Sequence, residues 1–273
     1  MIDQVFAAPK HAELDEGLCF ALENQLGFEI PTFYDAKNLE NSEQEIARYR
    51  GLLASNRAPL SMHGPIIDMN VVSLDPRIRD ASRLRYKQAI DIAKQLNVRY
   101  LIFHSQWSPI YPAIENGVEQ WIDALVEYWQ GIVEEELQDG NLTILIENFL
   151  DPSPESMFKL LQRVSSPHLK ACLDTGHVNI FSSLSPIDWV RELNRYIVYI
   201  HAHNNDGKID SHEAFDNGIL DMSGFLNHVA LLPQKIHLAI ETSSFAALES
   251  SFKMTQPYLT LQHEQYASKS FLI

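Results

Sequence analysis

The sequence predicts one α/β domain, a closed (β/α)8 TIM barrel spanning residues 1–273. Three observations lead there. Eight short apolar runs rich in β-branched and aromatic residues recur along the chain, segments of helical periodicity separate them, and no glycine-rich phosphate fingerprint of the GxGxxG or GxxxxGK[ST] type occurs. Strands that alternate with helices need a parallel sheet, and eight of them in one domain's length suit a closed barrel better than an open, doubly wound sheet.

The elements follow in order. QVFAAP (4–9) and GFEIPTF (27–33) are the first two runs and carry a weaker strand signal than the other six. Ser42, with Glu45 three residues on, reads as a capping box ahead of EIARYRGLLA. PLSMH (59–63) is the third run, and DPRIRDASRLRYKQAIDIAKQL after it is a long amphipathic helix. RYLIFH (99–104) is the fourth, followed by GVEQWIDALVEYWQGIVEEEL, whose Trp121 and Trp129 belong to a core-facing stripe. LTILIEN (142–148), LKACLD (169–174), YIVYIHAH (196–203) and KIHLAIE (235–241) complete the eight. Ser153-Pro154-Glu155 and Ser185-Pro186 each place a cap residue before a proline at the first helical position. The tail after Pro257, LQHEQYASKSFLI, is expected as a closing strap or a loosely packed end.

Composition narrows the function. The chain carries 36 acidic against 21 basic residues, a formal charge of −15, so it has no long-range attraction for nucleic acid or anionic membrane. No apolar run is long enough to span a bilayer, and MIDQVFAAPKHAELDEG lacks the basic-then-apolar order of a signal peptide, which makes a cytoplasmic location the expectation. Cys19 and Cys172 stand far apart with no CxxC context, against a disulfide framework and against a thiolate zinc site. A metal here must be held by His, Asp and Glu.

Those residues sit at the ends of the strands. Runs three to eight end in His63, His104, Glu147, Asp174, His201 with His203, and Glu241. A lone histidine at a strand end is ordinarily a hydrogen-bonded core or loop residue. Six successive strands ending in metal-competent side chains are another matter, because all of them share the C-terminal rim of a barrel, where active sites are built. Glu147 and Glu241 follow the apolar runs ILI and LAI, where an unpaired carboxylate is costly and a cation supplies the partner. His177 in LDTGHVNIF, and Asp210 and His212 in HAHNNDGKIDSHEAFDNG (201–218), enlarge the set. His201 and His203 point the same way, and His203 lies nearer the rim, so it is read as the ligand. His201, Asn204 and Asp206 are read as supporting contacts to ligands or substrate. Imidazole and oxygen donors without thiolate favour zinc or manganese, and nine candidate ligands exceed what one ion holds.

The motifs HGPIIDMN, LIFHS, LIENF, CLDTGHVNI, HAHNNDGKIDSH and AIET resemble those of the xylose isomerase-like TIM barrel superfamily, with its sugar isomerases and epimerases and its endonuclease IV (AP endonuclease family 2) branch. The resemblance to endonuclease IV implies three zinc ions: one on His63 and His104, bridged by Glu147 to a second on Asp174, His203 and Glu241, and a third on His177, Asp210 and His212. Similarity to the epimerases implies instead a single ion on Glu147, Asp174, His203 and Glu241, with the two glutamates as catalytic acid and base. Two departures weaken the DNA branch: Ile66 replaces its DNA-contacting aromatic, and Asp216 replaces a glycine. The expected activity is therefore a divalent-metal-dependent isomerase or epimerase of a small sugar, sugar phosphate or polyol, holding one to three zinc or manganese ions. The alternative is a trinuclear zinc phosphoesterase acting on abasic sites or a small phosphate ester. A small carbohydrate or phosphate ester is the expected partner, with no membrane, and nucleic acid enters only through the abasic-site alternative.

Overall fold

Eight parallel strands pair in chain order, and the last pairs with the first to close the barrel, in a computed structural model that describes residues 1–54, 56–138 and 140–269. The strands are β1 (Ile2–Ala7), β2 (Gly27–Ile30), β3 (Leu60–His63), β4 (Tyr100–His104), β5 (Thr143–Glu147), β6 (Leu169–Asp174), β7 (Ile197–Ala202) and β8 (Ile236–Ile240). The helices are α1 (Leu14–Glu23), α2 (Lys37–Glu40), α3 (Ser42–Leu52), α4 (Pro76–Gln95), α5 (Gly117–Glu136), α6 (Glu155–Val164), α7 (Thr175–Phe181), α8 (Pro186–Leu193), α9 (Met222–Ala230) and α10 (Phe245–Lys269). Each of the eight runs read from the sequence contains or overlaps one strand.

Most residues on both faces of the strands are buried, Asp3 of β1 being exposed, and the period of two sorts the side chains. Ile144 and Ile146 of β5 pack outward against the helices, whereas Leu145 joins a separate cluster inside the barrel with Phe6, Tyr100, Ile102, Cys172, Tyr199 and Ala239. Phe6 meets Tyr199 edge-on at 5.1 Å between ring centroids, a contact worth about 0.5–1.5 kcal/mol beyond the area it buries. Two residues further along each strand from this apolar layer lies the C-terminal mouth: Leu145 leads to Glu147, Ile102 to His104, Cys172 to Asp174, Tyr199 to His201 and Ala239 to Glu241. The interior register therefore delivers the ionisable set to one end.

Local signals differ in how they are used. Ser185 forms the full capping box with Asp188 and starts α8 with Pro186 in its first turn. Ser42 does not cap: α2 ends only two residues before it, Asn41 occupies the cap position, and Ser42 lies inside the first turn of α3. Pro154 itself stands at the cap of α6, with no side-chain hydrogen bond from Ser153. Helix α10 continues through Pro257 to Lys269, and residues 270–273 lie outside the described residues. Among the described residues no helix is long and apolar enough to cross a membrane.

Candidate active site

At the C-terminal mouth the nine ligand candidates form one cluster. His63 Nε2 and His104 Nε2 approach the same oxygen, Glu147 Oε2, at 3.1 and 3.5 Å. The other ring nitrogen of His63 bonds the Gly64 carbonyl at 2.8 Å, which in the neutral ring keeps the proton on Nδ1 and turns the Nε2 lone pair toward Glu147, where a cation would be held between them. His203 Nε2 lies 3.1 Å from both oxygens of Asp174. Asp210 Oδ2 sits between His177 Nε2 at 3.3 Å and His212 Nε2 at 3.1 Å. Glu147, Asp174 and His203 are at most 1% exposed, whereas the side chains of Asp210 and Glu241 are 31% and 25% exposed and face outward to the mouth.

Local backbone chemistry fixes these positions. Asp174 ends β6 and caps α7 by accepting from the His177 N–H at 2.7 Å, so one carboxylate both starts the helix and orients the next ligand candidate. The Asn148 side chain accepts from the Asp174 N–H at 2.8 Å and donates to the Asp174 carbonyl at 3.1 Å. Gly176 admits the His203 ring, since a Cβ there would lie 1.9 Å from its Cε1. His212 is held at φ 51°, a left-handed conformation, with its ring stacked on His203 at 4.0 Å. Gly207, at φ 76°, turns the loop that carries Asp210 and His212 back to the rim.

The supporting residues take varied places. His201 sits one layer below His203, with Nδ1 at 3.1 Å from both Glu147 Oε1 and Glu241 Oε2. Its Nε2 rests on Glu29 at 3.1 Å. The central four-donor group, with ligand atoms within 4.8 Å of one another, comprises Glu147, Asp174, His201 and Glu241, while His203 groups with His212 and Glu241. The quartet implied by the family resemblance contains His203 at that place. The difference arises because His201 of β7 and His203 just beyond its end both face the interior, and the deeper one is wedged between carboxylates. Asn204 does not face the site: its amide donates to the Phe215 and Leu220 carbonyls and ties down the loop. Asp206 is exposed and accepts from the Lys208 and Ile209 N–H groups, an Asx turn rather than a site contact.

One residue escaped the sequence reading. Glu29 of β2 is 3% exposed and accepts from Tyr199 at 2.9 Å and Ser61 at 3.1 Å as well as contacting His201. A lone carboxylate within the apolar run GFEI was the available signal.

The electrostatics reflect this crowding. Burial opposes ionisation of Glu147, yet the charges of His201 and His104 and the hydrogen bonds from His201 and His63 hold its carboxyl well below the usual range. Burial alone dominates at His104 and pushes it down to about 3. Burial also resists charging His177 and His212, but Asp174 and Asp210 raise the first to about 10, and Glu241 and Asp210 raise the second to about 9. A histidine ligates only as the neutral ring, so an ion taken up at about pH 8 by the outer group of His177, Asp210 and His212 expels these protons. Titration of zinc into weakly buffered apoprotein is expected to release about two protons per chain from this pair, with affinity rising with pH, where that outer group fills, and none from the pair where a single ion binds at Glu147, Asp174, His203 and Glu241. The acidification of a pH indicator measures it.

The donor set fits a divalent cation. His203 Nδ1 and Asp210 Oδ1 are buried without a hydrogen-bond partner among the described residues, and four groups of three or four donors lie within ligating reach of one another. His63, His104 and Glu147 form one such group.

Fold and rim together define a class, the TIM barrels that carry a cluster of candidate metal-binding groups at the C-terminal face. The chain belongs to the xylose isomerase-like TIM barrel family, whose model matches residues 20–258. That bears out the fold and the resemblance read from the motifs. It is 25% identical over 217 residues to the uncharacterized protein MJ1311 of Methanocaldococcus jannaschii, covering 76% of this chain and 72% of that one. Among solved structures it is similar to a D-tagatose 3-epimerase-like protein, at 22% identity over 96% of this chain and 99% of that one, with a TM-score of 0.74. It is also similar to the TTHB071 protein of Thermus thermophilus soaked with ZnCl2, at 23% identity, with 93% and 97% covered and a TM-score of 0.74.

Proposed function

We propose that the chain is a divalent-metal-dependent isomerase or epimerase of a small sugar, sugar phosphate or polyol. The observation that carries this reading is a pair of carboxylates held by one imidazole: Glu147 and Glu241 each stand 3.1 Å from His201 Nδ1. They lie at the base of the barrel mouth, beside a cavity of about 790 Å3 that Glu241, His63 and His212 line. That volume falls in the range of small-molecule sites. The likeness to a D-tagatose 3-epimerase-like protein supports the same reading.

Epimerisation removes a proton from a carbon beside a carbonyl and returns one on the opposite face, whereas isomerisation returns it to the neighbouring carbon. Either needs two proton carriers flanking the substrate, and Glu147 and Glu241 supply them, exchanging roles with the direction of reaction. His201 fixes their separation and is itself fixed by Glu29. Glu147, Asp174, His203 and Glu241 would hold a divalent cation, which when bound supplies positive charge to stabilise the negative charge developing on the substrate oxygens. Solvent deuterium is expected to enter a carbon-bound position of at least one member of a panel of ketoses and ketose phosphates incubated in D2O with zinc- or manganese-loaded protein. Mass spectrometry reads it, and a silent panel would defeat the proposal.

A second reading, hydrolysis of a small phosphate ester across several ions, is favoured by one feature. Asp210 Oδ2 lies between His177 and His212 at 3.3 and 3.1 Å, a donor group that proton transfer at Glu147 and Glu241 does not use.

A further inference from the structure

The opposite, N-terminal end of the barrel holds another cavity, of about 870 Å3. Arg50 at the end of α3, Arg57 in the loop before β3 and Arg99 just ahead of β4 line it, with Tyr100 and His237 among the residues of its floor. In a chain of net charge −15, Asp3 is the one carboxylate among the lining residues, and it is already paired with Lys235 at 2.9 Å. Arg50 donates to the Gln95 carbonyl at 3.0 Å and Arg99 to the Asn141 carbonyl at 2.7 Å. Among the described residues, none of the three guanidinium groups meets a carboxylate, and Arg57 has no side-chain hydrogen bond. A guanidinium carries five N–H donors in a planar fork suited to phosphate oxygens, so most of this donor capacity faces the cavity or solvent.

Tyr100 and His237 on the floor add no negative charge. His237 Nε2 bonds the Tyr100 hydroxyl at 2.7 Å, and its Nδ1 is buried without a hydrogen-bond partner among the described residues. Burial first, and then the positive charges of Arg99 and Lys235 against the pull of Asp3, hold this imidazole down at about 4. A neutral ring beside unpaired arginines leaves the cavity positive overall.

We propose that this N-terminal mouth binds a phosphorylated small metabolite, its phosphate gripped by Arg50, Arg57 and Arg99. A phosphate monoester carries nearly two negative charges where a carboxylate carries one, which suits a cavity lined by three guanidinium groups. The cavity is larger than inorganic phosphate requires, so room remains for a sugar- or nucleoside-sized body. The site is independent of the rim chemistry and of the carbohydrate reading.

Calorimetric titration of the full chain, freed of metal by chelation so that phosphate cannot be captured at the rim, tests it with ribose 5-phosphate, AMP, ribose and inorganic phosphate. Binding of ribose 5-phosphate or AMP but not of ribose is expected. Arg57→Gln and Arg99→Gln are each expected to weaken it by about tenfold or more, since each removes charged hydrogen bonds, and the two combined are expected to weaken it further. Both arginines are exposed, so unchanged thermal midpoints are expected in these variants. Asp210→Asn, at the far end of the barrel, is expected to leave the affinity unaltered. The proposal is overturned if neither organic phosphate binds, if only inorganic phosphate binds, if the double arginine variant binds as wild type, or if Asp210→Asn abolishes binding.

Discussion

Glu147→Gln and Glu241→Gln are each expected to lower turnover by about 10²–10⁴-fold, the range over which a positioned acid or base contributes. The amide keeps the volume, exchanges one acceptor oxygen for an NH2 donor, and loses the charge and the transferable proton. The two substitutions differ in their structural consequences. Glu147 is enclosed by His63, His104 and His201, so its loss also leaves buried imidazoles without a counter-charge and is expected to lower the thermal midpoint. Glu241 is a quarter exposed at the cavity, and its amide variant is expected to unfold close to wild type. Steady-state kinetics with thermal melts on both variants checks this. Wild-type turnover in Glu241→Gln would defeat the acid/base assignment.

The second large effect concerns the outer group. Asp210→Asn combined with His212→Ala alters two members of the outer group, in which His177 and His212 both meet Asp210 Oδ2. On the isomerase or epimerase reading with one central ion, Glu147, Asp174, His203 and Glu241 retain that ion and the double variant mainly raises KM by removing substrate contacts. A loss of one ion per chain together with loss of phosphoesterase turnover would instead place the chain with the multi-ion hydrolases. Metal analysis by mass spectrometry on both proteins separates these outcomes.

The barrel was legible because its strands are buried on both faces and so read as short continuous apolar runs, each bounded by polar residues, a pattern that survives without knowledge of neighbours. The rim was legible for the same reason: a strand that ends in His or carboxylate after ILI or LAI breaks its own pattern. Glu29 was not legible. It lies in the middle of a four-residue strand, and only the closure of the barrel, which brings Tyr199 and His201 from β7 to face β2, gives that carboxylate its partners. The place of Asn204 likewise depends on the path of the loop from 203 to 221, which a spacing cannot specify. Ser42 carried the residue types of a capping box, but the short helix α2 ahead of it moved the cap to Asn41.

A divalent-metal centre at the rim underlies the proposed chemistry, and anomalous scattering from crystals of unstripped protein, collected on either side of the zinc and manganese edges, tests it most directly. At least one ion is expected among Glu147, Asp174, His203 and Glu241, with ligand distances of about 2.0–2.3 Å. Protein that retains no ion at this rim, even after soaking in zinc and manganese, would contradict it.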